Sequence, residues 1–247
     1  MLSNIEKIIF IIIAISAFSA SYVTFGKMFK AISVGSQPID WKKALWNFPK
    51  GLKVFISQNT LFKTRPIVGF IHALVAWGFT LYLIVNVVDV LYGFIPDFHF
   101  FPNYFIGKMY RIFVDVFTVL VLVGVFYFLV RRFIFNDKRL IINKPVMISE
   151  EARIGMRNDS LLVGLFILFH VGARFLSASF EIAKNGVDDF QPAATTVSLL
   201  WSNLSSENII LFEHISWWVA LGLILGFLPY FPFSKHAHLF MGPLNYM

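Results

Sequence analysis

Five stretches of this chain are long and apolar enough to cross a lipid bilayer. A transmembrane α-helix needs about 20 predominantly apolar residues, and no stretch here alternates polar and apolar residues as a barrel strand does. The five segments run near Ile5–Phe25, Ile67–Phe94, Ile112–Phe135, Leu161–Ile182 and Ile209–Pro229. The sequence therefore predicts an all-α membrane protein in which residues 1–247 form a single five-helix transmembrane bundle.

The composition agrees with a bilayer environment. Hydrophobic residues make up 57% of the chain and charged residues 14%, whereas a soluble domain carries about 25% charged residues. The net charge of +7 does not indicate nucleic acid binding, because the basic residues cluster in two connections, as membrane topology requires. The sequence contains no cysteine, which excludes an iron–sulfur cluster, a zinc–thiolate site and a disulfide within these residues.

Lysine and arginine are distributed in a way that predicts an orientation. The first connection, Lys27–Arg65, carries eight of them and the third, Arg131–Arg157, carries seven. The second carries only Lys108 and Arg111, and the fourth only Lys184. Basic loops stay in the cytoplasm, so we expect the N-terminus outside, the C-terminus inside and a location in the bacterial cytoplasmic membrane. The first segment could instead be a cleaved signal peptide, but cleavage would leave the basic first connection outside.

The first connection also contains an amphipathic helix, over about residues 40–62. Apolar residues recur there at helical spacing with lysines between them, and Pro49 interrupts the pattern. The apolar members are Trp41, Leu45, Phe48, Leu52 and Phe55. Such a helix lies in the membrane interface, so we interpret it as an anchor in the first cytoplasmic loop. A docking face for a cytoplasmic redox partner is the alternative.

Four histidines lie in or beside the apolar segments, where ionisable residues are costly and usually functional. With a rise of about 1.5 Å per residue, His170 lies about 12 Å and His214 about 9 Å from the outer edge of the hydrocarbon. Their similar depth predicts axial ligation of a b-type haem. His72 lies near the inner edge, where the tail offers His236 and His238 as partners. Any one of them could instead be a packing residue or part of a proton relay.

The tail and two stretches before it resemble a known family. Pro232–Phe240, followed by Gly242–Leu244, resembles the end of the last core helix in the gamma subunit of respiratory nitrate reductase. It is more similar still to the membrane half of heterodisulfide-reductase-related iron–sulfur oxidoreductases. In all, three stretches carry the resemblance: Arg65–His72, His170–Arg174 and His214–His238, the last of which runs into the tail.

This resemblance implies a cytochrome b with two b-type haems and quinol as substrate. By similarity, His72 and His238, rather than His236, hold the inner haem, and His214 is one ligand of the outer haem. The family's other outer ligand falls near Tyr82, so His170 would substitute for it. The resemblance also implies a cytoplasmic iron–sulfur or flavoprotein partner, either as a separate subunit or as a further domain.

Charged residues near these positions are candidates for supporting roles. Arg174 is one turn from His170 and shares its helix face, so it is a candidate partner for a haem propionate, as are Arg65 and Lys63 for the inner haem. On the outer side we expect Arg111 and Asp115 to pair, because they are spaced i, i+4. The candidates for quinone binding are His99, Lys108, Arg111 and Asp115.

The function predicted is transmembrane electron transfer between the quinone pool and a cytoplasmic partner. On this hypothesis the chain is the membrane cytochrome b part of a quinone-linked oxidoreductase, embedded in lipid. Two alternatives stay open: a proton-coupled transporter that uses the same histidines as a relay, and a non-catalytic membrane anchor.

Overall fold

The computed structural model describes residues 2–35, 40–137, 140 and 147–246, and that part of the chain is helical without a strand. We number the α-helices α1 to α9 in chain order. They are α1 Asn4–Ile32, α2 Trp41–Ser57, α3 Asn59–Thr64, α4 Pro66–Phe94, α5 Phe105–Leu129, α6 Glu150–Asn185, α7 Pro192–Ser198, α8 Ser206–Phe227 and α9 His238–Leu244.

Five of these helices, α1, α4, α5, α6 and α8, are long and apolar enough to cross a membrane. This confirms the five predicted segments, although several helices are longer than their apolar stretch. Helix α6 has 36 residues and begins at Glu150, because the Ser149 side chain caps its first turn and two acidic residues stabilise that end. Helix α5 continues into one turn of π-helix, Val130–Ile134.

Helices α4 and α5 approach each other closely through glycines. A Cβ atom on Gly78 would lie 2.3 Å from a methyl carbon of Val121, and one on Gly124 would lie 2.7 Å from a methyl carbon of Val75. Small residues allow this close packing in a bilayer, where no hydrophobic effect drives helices together. The packed core of the bundle lies beside this contact and includes Val85, which is fully buried.

The amphipathic stretch forms α2 and α3, but Pro49 does not divide them. Helix α2 runs through Pro49, and the break comes at Gln58, which has a left-handed backbone with φ 47°. The prediction of an interruption at Pro49 is therefore wrong: a proline removes one backbone hydrogen bond and bends a helix, but here the helix continues. The Trp77 indole donates a hydrogen bond of 3.0 Å to the Ile56 carbonyl and ties this stretch to α4.

Candidate functional site

A large apolar cavity lies inside the bundle between α1, α4, α6, α8 and the C-terminal tail. Its volume is about 540 Å³, within the range of about 300–1,000 Å³ that is typical of cofactor and ligand sites. Along α4 it extends from His72 to Val87, which corresponds to about 22 Å of helix. Four imidazoles line it, those of His72, His170, His236 and His238. We call this space the central cavity.

His72 and His238 lie next to each other at one end of the central cavity, with their ring planes inclined by 44°. Their ring centroids are 6.2 Å apart. The tail reaches this position through two 3-10 turns that follow Pro229, Phe231–Phe233 and Lys235–Ala237. A smaller cavity of about 310 Å³ lies under α2 and is lined by the same two histidines. The pair therefore sits where two cavities meet.

The hydrogen bond of His238 decides which ring nitrogen is free. Its Nδ1 contacts the Lys235 carbonyl. A carbonyl oxygen only accepts hydrogen bonds, so Nδ1 must carry the proton and Nε2 of the neutral ring keeps its lone pair. Histidines that bind metals usually donate their other ring N–H to a carbonyl or carboxylate in this way. His238 is thus oriented as a metal ligand would be.

His170 shows the same arrangement further along the cavity. Its Nδ1 lies 2.8 Å from the carbonyl of Ala220 on α8, and by the same argument its Nε2 is unprotonated. That Nε2 is buried and has no hydrogen-bond partner among the described residues. The ring stacks on Phe166 and meets the edge of Tyr82, with centroids 5.8 and 5.7 Å away. Few buried polar atoms go unpaired in native proteins, so this nitrogen points to a ligand.

Two further ring nitrogens at the cavity are buried and unpaired among the described residues, Nδ1 of His72 and Nδ1 of His236. The His236 ring lies among aromatic rings, the nearest being Phe79 at 4.8 Å. Burial, and to a lesser extent the neighbouring His238, lower the pKa of His236 to about 4. The ring is therefore neutral at physiological pH, as a metal-binding imidazole has to be.

His214 does not lie at the central cavity. Its Nε2 is 2.9 Å from Oε1 of Glu6 on α1, and it lines a separate cavity of about 50 Å³, which we call the outer cavity after the side of the membrane that the sequence predicts for it. His170 contacts Ala220, six residues beyond His214 on α8, so the two histidines differ in depth by about 9 Å. The equal depth predicted for His170 and His214 is wrong, because polar residues extend α6 beyond the apolar stretch from which its depth was counted.

Buried ionisable side chains surround the outer cavity. The Arg174 Nε lies 3.3 Å from an Oδ2 of Asp89, and both side chains are largely buried. The hydroxyl of Tyr92 donates a hydrogen bond to Glu181. Arg174 was predicted to bind a haem propionate, but the structure pairs it with Asp89 of α4 instead.

Sequence reasoning missed the acidic residues of this cavity. Asp89, Glu181 and Glu213 all line it and all lie on membrane-spanning helices. The signal was present, since a carboxylate inside an apolar segment is costly and has a buried partner or a function. Lys63, on α3, and Arg65, just before α4, are the other propionate candidates; both are exposed, and their predicted role stays a prediction.

The structure brings two of the four quinone candidates together, because Lys108 and Arg111 each lie 5.4 Å from the centre of the Phe190 ring. Arg111 pairs with Asp188 at 2.9 Å, so the predicted pair with Asp115 is wrong. Asp115 is instead buried and accepts hydrogen bonds from the backbone amides of Ala193 and Ala194, at 2.7 and 3.0 Å, at the start of α7.

The remaining candidate, His99, makes an aromatic contact elsewhere. The His99 ring lies 5.6 Å from that of Tyr92, and Tyr92 lines the outer cavity. His99 therefore contacts a residue that lines the outer cavity, whereas the other three candidates contact α7 or the residues just before it.

Replacing Asp115 with alanine is expected to lower stability by about 1–3 kcal/mol, because two amides at the start of α7 lose their acceptor. The measurement is the shift of the thermal unfolding midpoint of the purified protein. Asp189→Ala is the matched control, since Asp189 is exposed in the same connection. An equal shift in both variants would contradict the capping role.

Two curated proteins are similar to most of this chain. One is "Probable iron-sulfur-binding oxidoreductase FadF" of Bacillus subtilis (strain 168), 26% identical over 197 residues, covering 76% of this chain and 25% of that protein. The other is "EtfAB:quinone oxidoreductase" of Syntrophomonas wolfei, 26% identical over 187 residues, covering 74% of this chain and 25% of that protein. The matched region is thus about a quarter of the length of each relative.

No protein-family profile matches the chain, and no solved structure matches it significantly. Neither relative's name refers to nitrate reductase, so the resemblance to its gamma subunit stays a prediction from the motifs. Both names describe oxidoreductases, one binding iron–sulfur and the other acting with quinone.

Proposed function

We propose that this chain is the membrane-spanning electron-transfer part of a quinone-linked oxidoreductase and binds a b-type haem between His72 and His238. The observation that carries the proposal is this adjacent pair of imidazoles at the junction of two cavities. The names of the two relatives support the oxidoreductase class and the link to quinone.

The spacing of the pair suits an iron ion between the two rings. Bonds from metal ions to imidazole nitrogens are about 2.0–2.1 Å long. Two imidazoles on opposite sides of one ion would therefore have ring centroids about 6 Å apart, and the observed separation is 6.2 Å. The cavities of about 540 and 310 Å³ both border the pair, which leaves room for a flat macrocycle around the ligands.

The chain's own residues would set the properties of the bound group. A b-type haem supplies a one-electron carrier whose potential depends on its axial ligands, burial and nearby hydrogen bonds. The Lys235 carbonyl fixes the ring of His238, and the apolar cavity wall excludes water. His170 presents a further unprotonated nitrogen to the same cavity. A second haem clasped by His170 and His214 does not fit, because these residues line different cavities.

The amphipathic stretch supports the predicted orientation. Helix α2 leaves large apolar side chains exposed, among them Trp46 at 86%, and lysines lie between them. On this proposal α2 lies in the inner interface of a bacterial cytoplasmic membrane, and the basic connections face the cytoplasm. An iron–sulfur or flavoprotein partner would then exchange electrons at that face, with quinone reacting within the membrane.

The spectrum of the purified full chain tests the proposal. We expect a dithionite-reduced absorption band of b type and a low-spin electron paramagnetic resonance signal of bis-histidine iron. Addition of a quinol analogue to the oxidised protein should produce the same band. A colourless protein that also fails to bind added haem would contradict the proposal and favour a proton-coupled transporter or an anchor.

The outer cavity is assigned to proton exchange with the outside during quinone chemistry. Its volume of about 50 Å³ exceeds the 10–15 Å³ or so that one water requires but is too small for a quinone ring. Glu181, Glu213 and His214 line it, and His99 reaches it through Tyr92. These groups can pass protons between water in the cavity and the outer surface.

Glu181→Gln is expected to slow quinol-dependent reduction by about 10²-fold, because a positioned acid or base contributes about that much to proton transfer. The haem content should not change, since glutamine still accepts the hydrogen bond from Tyr92. The measurement is stopped-flow reduction of the visible band by quinol. The control is Glu207→Gln, an exposed residue in the first turn of α8. Equal rates in both variants would exclude Glu181 from the proton path.

A further inference from the structure

The ends of α5 and α6 form a basic cavity that the proposed electron transfer does not use. Its volume is about 320 Å³. The π-helical turn after α5 contributes Arg132, and the first turns of α6 contribute Arg153 and Arg157. A single turn of π-helix is rare and frequently marks a functional site.

Local ion pairs account for part of the charge in this cavity. Two carboxylates line it, those of Asp137 and Glu150. Asp137 accepts a 2.5 Å contact from Arg131, and Glu150 lies 3.9 Å from Arg153. Both acidic residues of the lining therefore already have a basic partner.

Neither Arg132 nor Arg157 forms a direct ion pair in the part of the chain that the structure describes, although Asp159 attracts Arg132 from a greater distance. The Arg157 guanidinium lies 5.7 Å from the centre of the Phe133 ring, which is a weak contact for a full charge. The guanidinium groups of Arg132 and Arg157 repel each other, and the two carboxylates of the lining are paired with other arginines. This arrangement favours the binding of an anionic ligand.

The position of the cavity indicates which anion. It lies where two membrane-spanning helices emerge, since α5 with its extension ends at Ile134 and α6 begins at Glu150. Apolar side chains beside it are exposed, with Ile134 at 70%, Phe135 at 74% and Ile154 at 53%. A ligand that fits both surfaces carries a phosphate next to hydrocarbon chains.

We infer that this cavity binds the headgroup of an anionic phospholipid, with Arg132 and Arg157 on the phosphate oxygens and the acyl chains along Ile134, Phe135 and Ile154. Guanidinium groups match the geometry of phosphate oxygens with paired donors. Basic pockets between transmembrane helices on the cytoplasmic side are a recognised site for such lipids. The site is separate from the central cavity, so lipid binding here does not depend on haem binding there.

The test is the lipid content of the full chain purified in mild detergent, measured by native mass spectrometry. The wild-type protein should retain phosphatidylglycerol or cardiolipin, and the double variant Arg132→Gln/Arg157→Gln should retain about tenfold less, since both phosphate contacts are lost. The control Lys27→Gln/Lys30→Gln removes the same charge from exposed positions at the end of α1 and should retain the wild-type amount. Equal retention in all three proteins would overturn the inference.

A second measurement separates lipid from free phosphate and covers a double variant that does not fold. Thermal unfolding of the wild-type protein is followed with added phosphatidylglycerol, phosphatidylcholine or inorganic phosphate. We expect only phosphatidylglycerol to raise the midpoint, because a ligand stabilises the state that binds it. The variant Arg132→Lys/Arg157→Lys keeps the charge but loses the paired donors, and its shift should be smaller. An equal rise with phosphatidylcholine or phosphate would overturn the assignment to an anionic lipid.

Discussion

His238→Ala is expected to abolish the b-type absorption band of the purified protein, and His72→Ala should do the same. Both rings would hold the iron of the proposed haem, and the loss of either ring also leaves a space beside the cavity. The measurement is the reduced-minus-oxidised spectrum together with the haem-to-protein ratio by pyridine haemochrome. This is the largest effect that the structure predicts for a single substitution.

His214→Ala is the decisive comparison for this prediction. His214 lies at the outer cavity and pairs with Glu6, so its loss should leave the band at full intensity. Loss of the band in His214→Ala, with full intensity in His72→Ala, would contradict the assignment of the adjacent pair. His99→Ala, in the connection between α4 and α5, serves as a further control for nonspecific effects of removing an imidazole.

Asp89→Asn is expected to destabilise the protein by about 3–5 kcal/mol. The substitution is nearly isosteric, but it leaves the Arg174 charge buried without a counter-ion, which is the costly way to break a buried pair. The measurement is the free energy of unfolding in mixed micelles. Asp97→Asn is the matched control, because Asp97 is exposed and has a positive φ that asparagine also adopts readily.

A double variant distinguishes loss of the pair from loss of the carboxylate alone. Asp89→Leu/Arg174→Met removes both charges and should recover most of the stability, since replacing a buried ion pair by apolar residues is often neutral or stabilising. If the double variant is as unstable as Asp89→Asn, the pair is not the source of the effect.

The sequence was sufficient for the number and approximate positions of the spanning helices, because an apolar stretch of the right length has few other uses. The sequence also predicted that the tail histidines lie near His72, since prolines after α8 break the helix and let the chain turn back. Those two results depend on local properties of the chain. They required no knowledge of how one helix is aligned against another.

The alignment between helices is what local reasoning could not supply. His170 and His214 looked level only because the edges of the apolar stretches were taken as equal depths, and α6 extends well beyond its apolar stretch. The pairing of Arg174 with Asp89 was missed for the same reason, since it depends on the register of α4 against α6. Asp115 was likewise expected to pair with Arg111, but its carboxylate accepts hydrogen bonds from the start of α7, which is distant in sequence.

The buried pair between Asp89 and Arg174 also has a consequence for biogenesis. The two residues are 85 positions apart in the chain, so α4 leaves the ribosome long before α6 exists. Asp89 lies in the last two turns of α4, so inserting this aspartate in a lone helix costs less than the roughly 2.5–3.5 kcal/mol of an aspartate at the helix centre, but the insertion is still unfavourable. We therefore expect α4 to remain beside the insertion machinery until α6 has been synthesised, so that the two helices enter the lipid together.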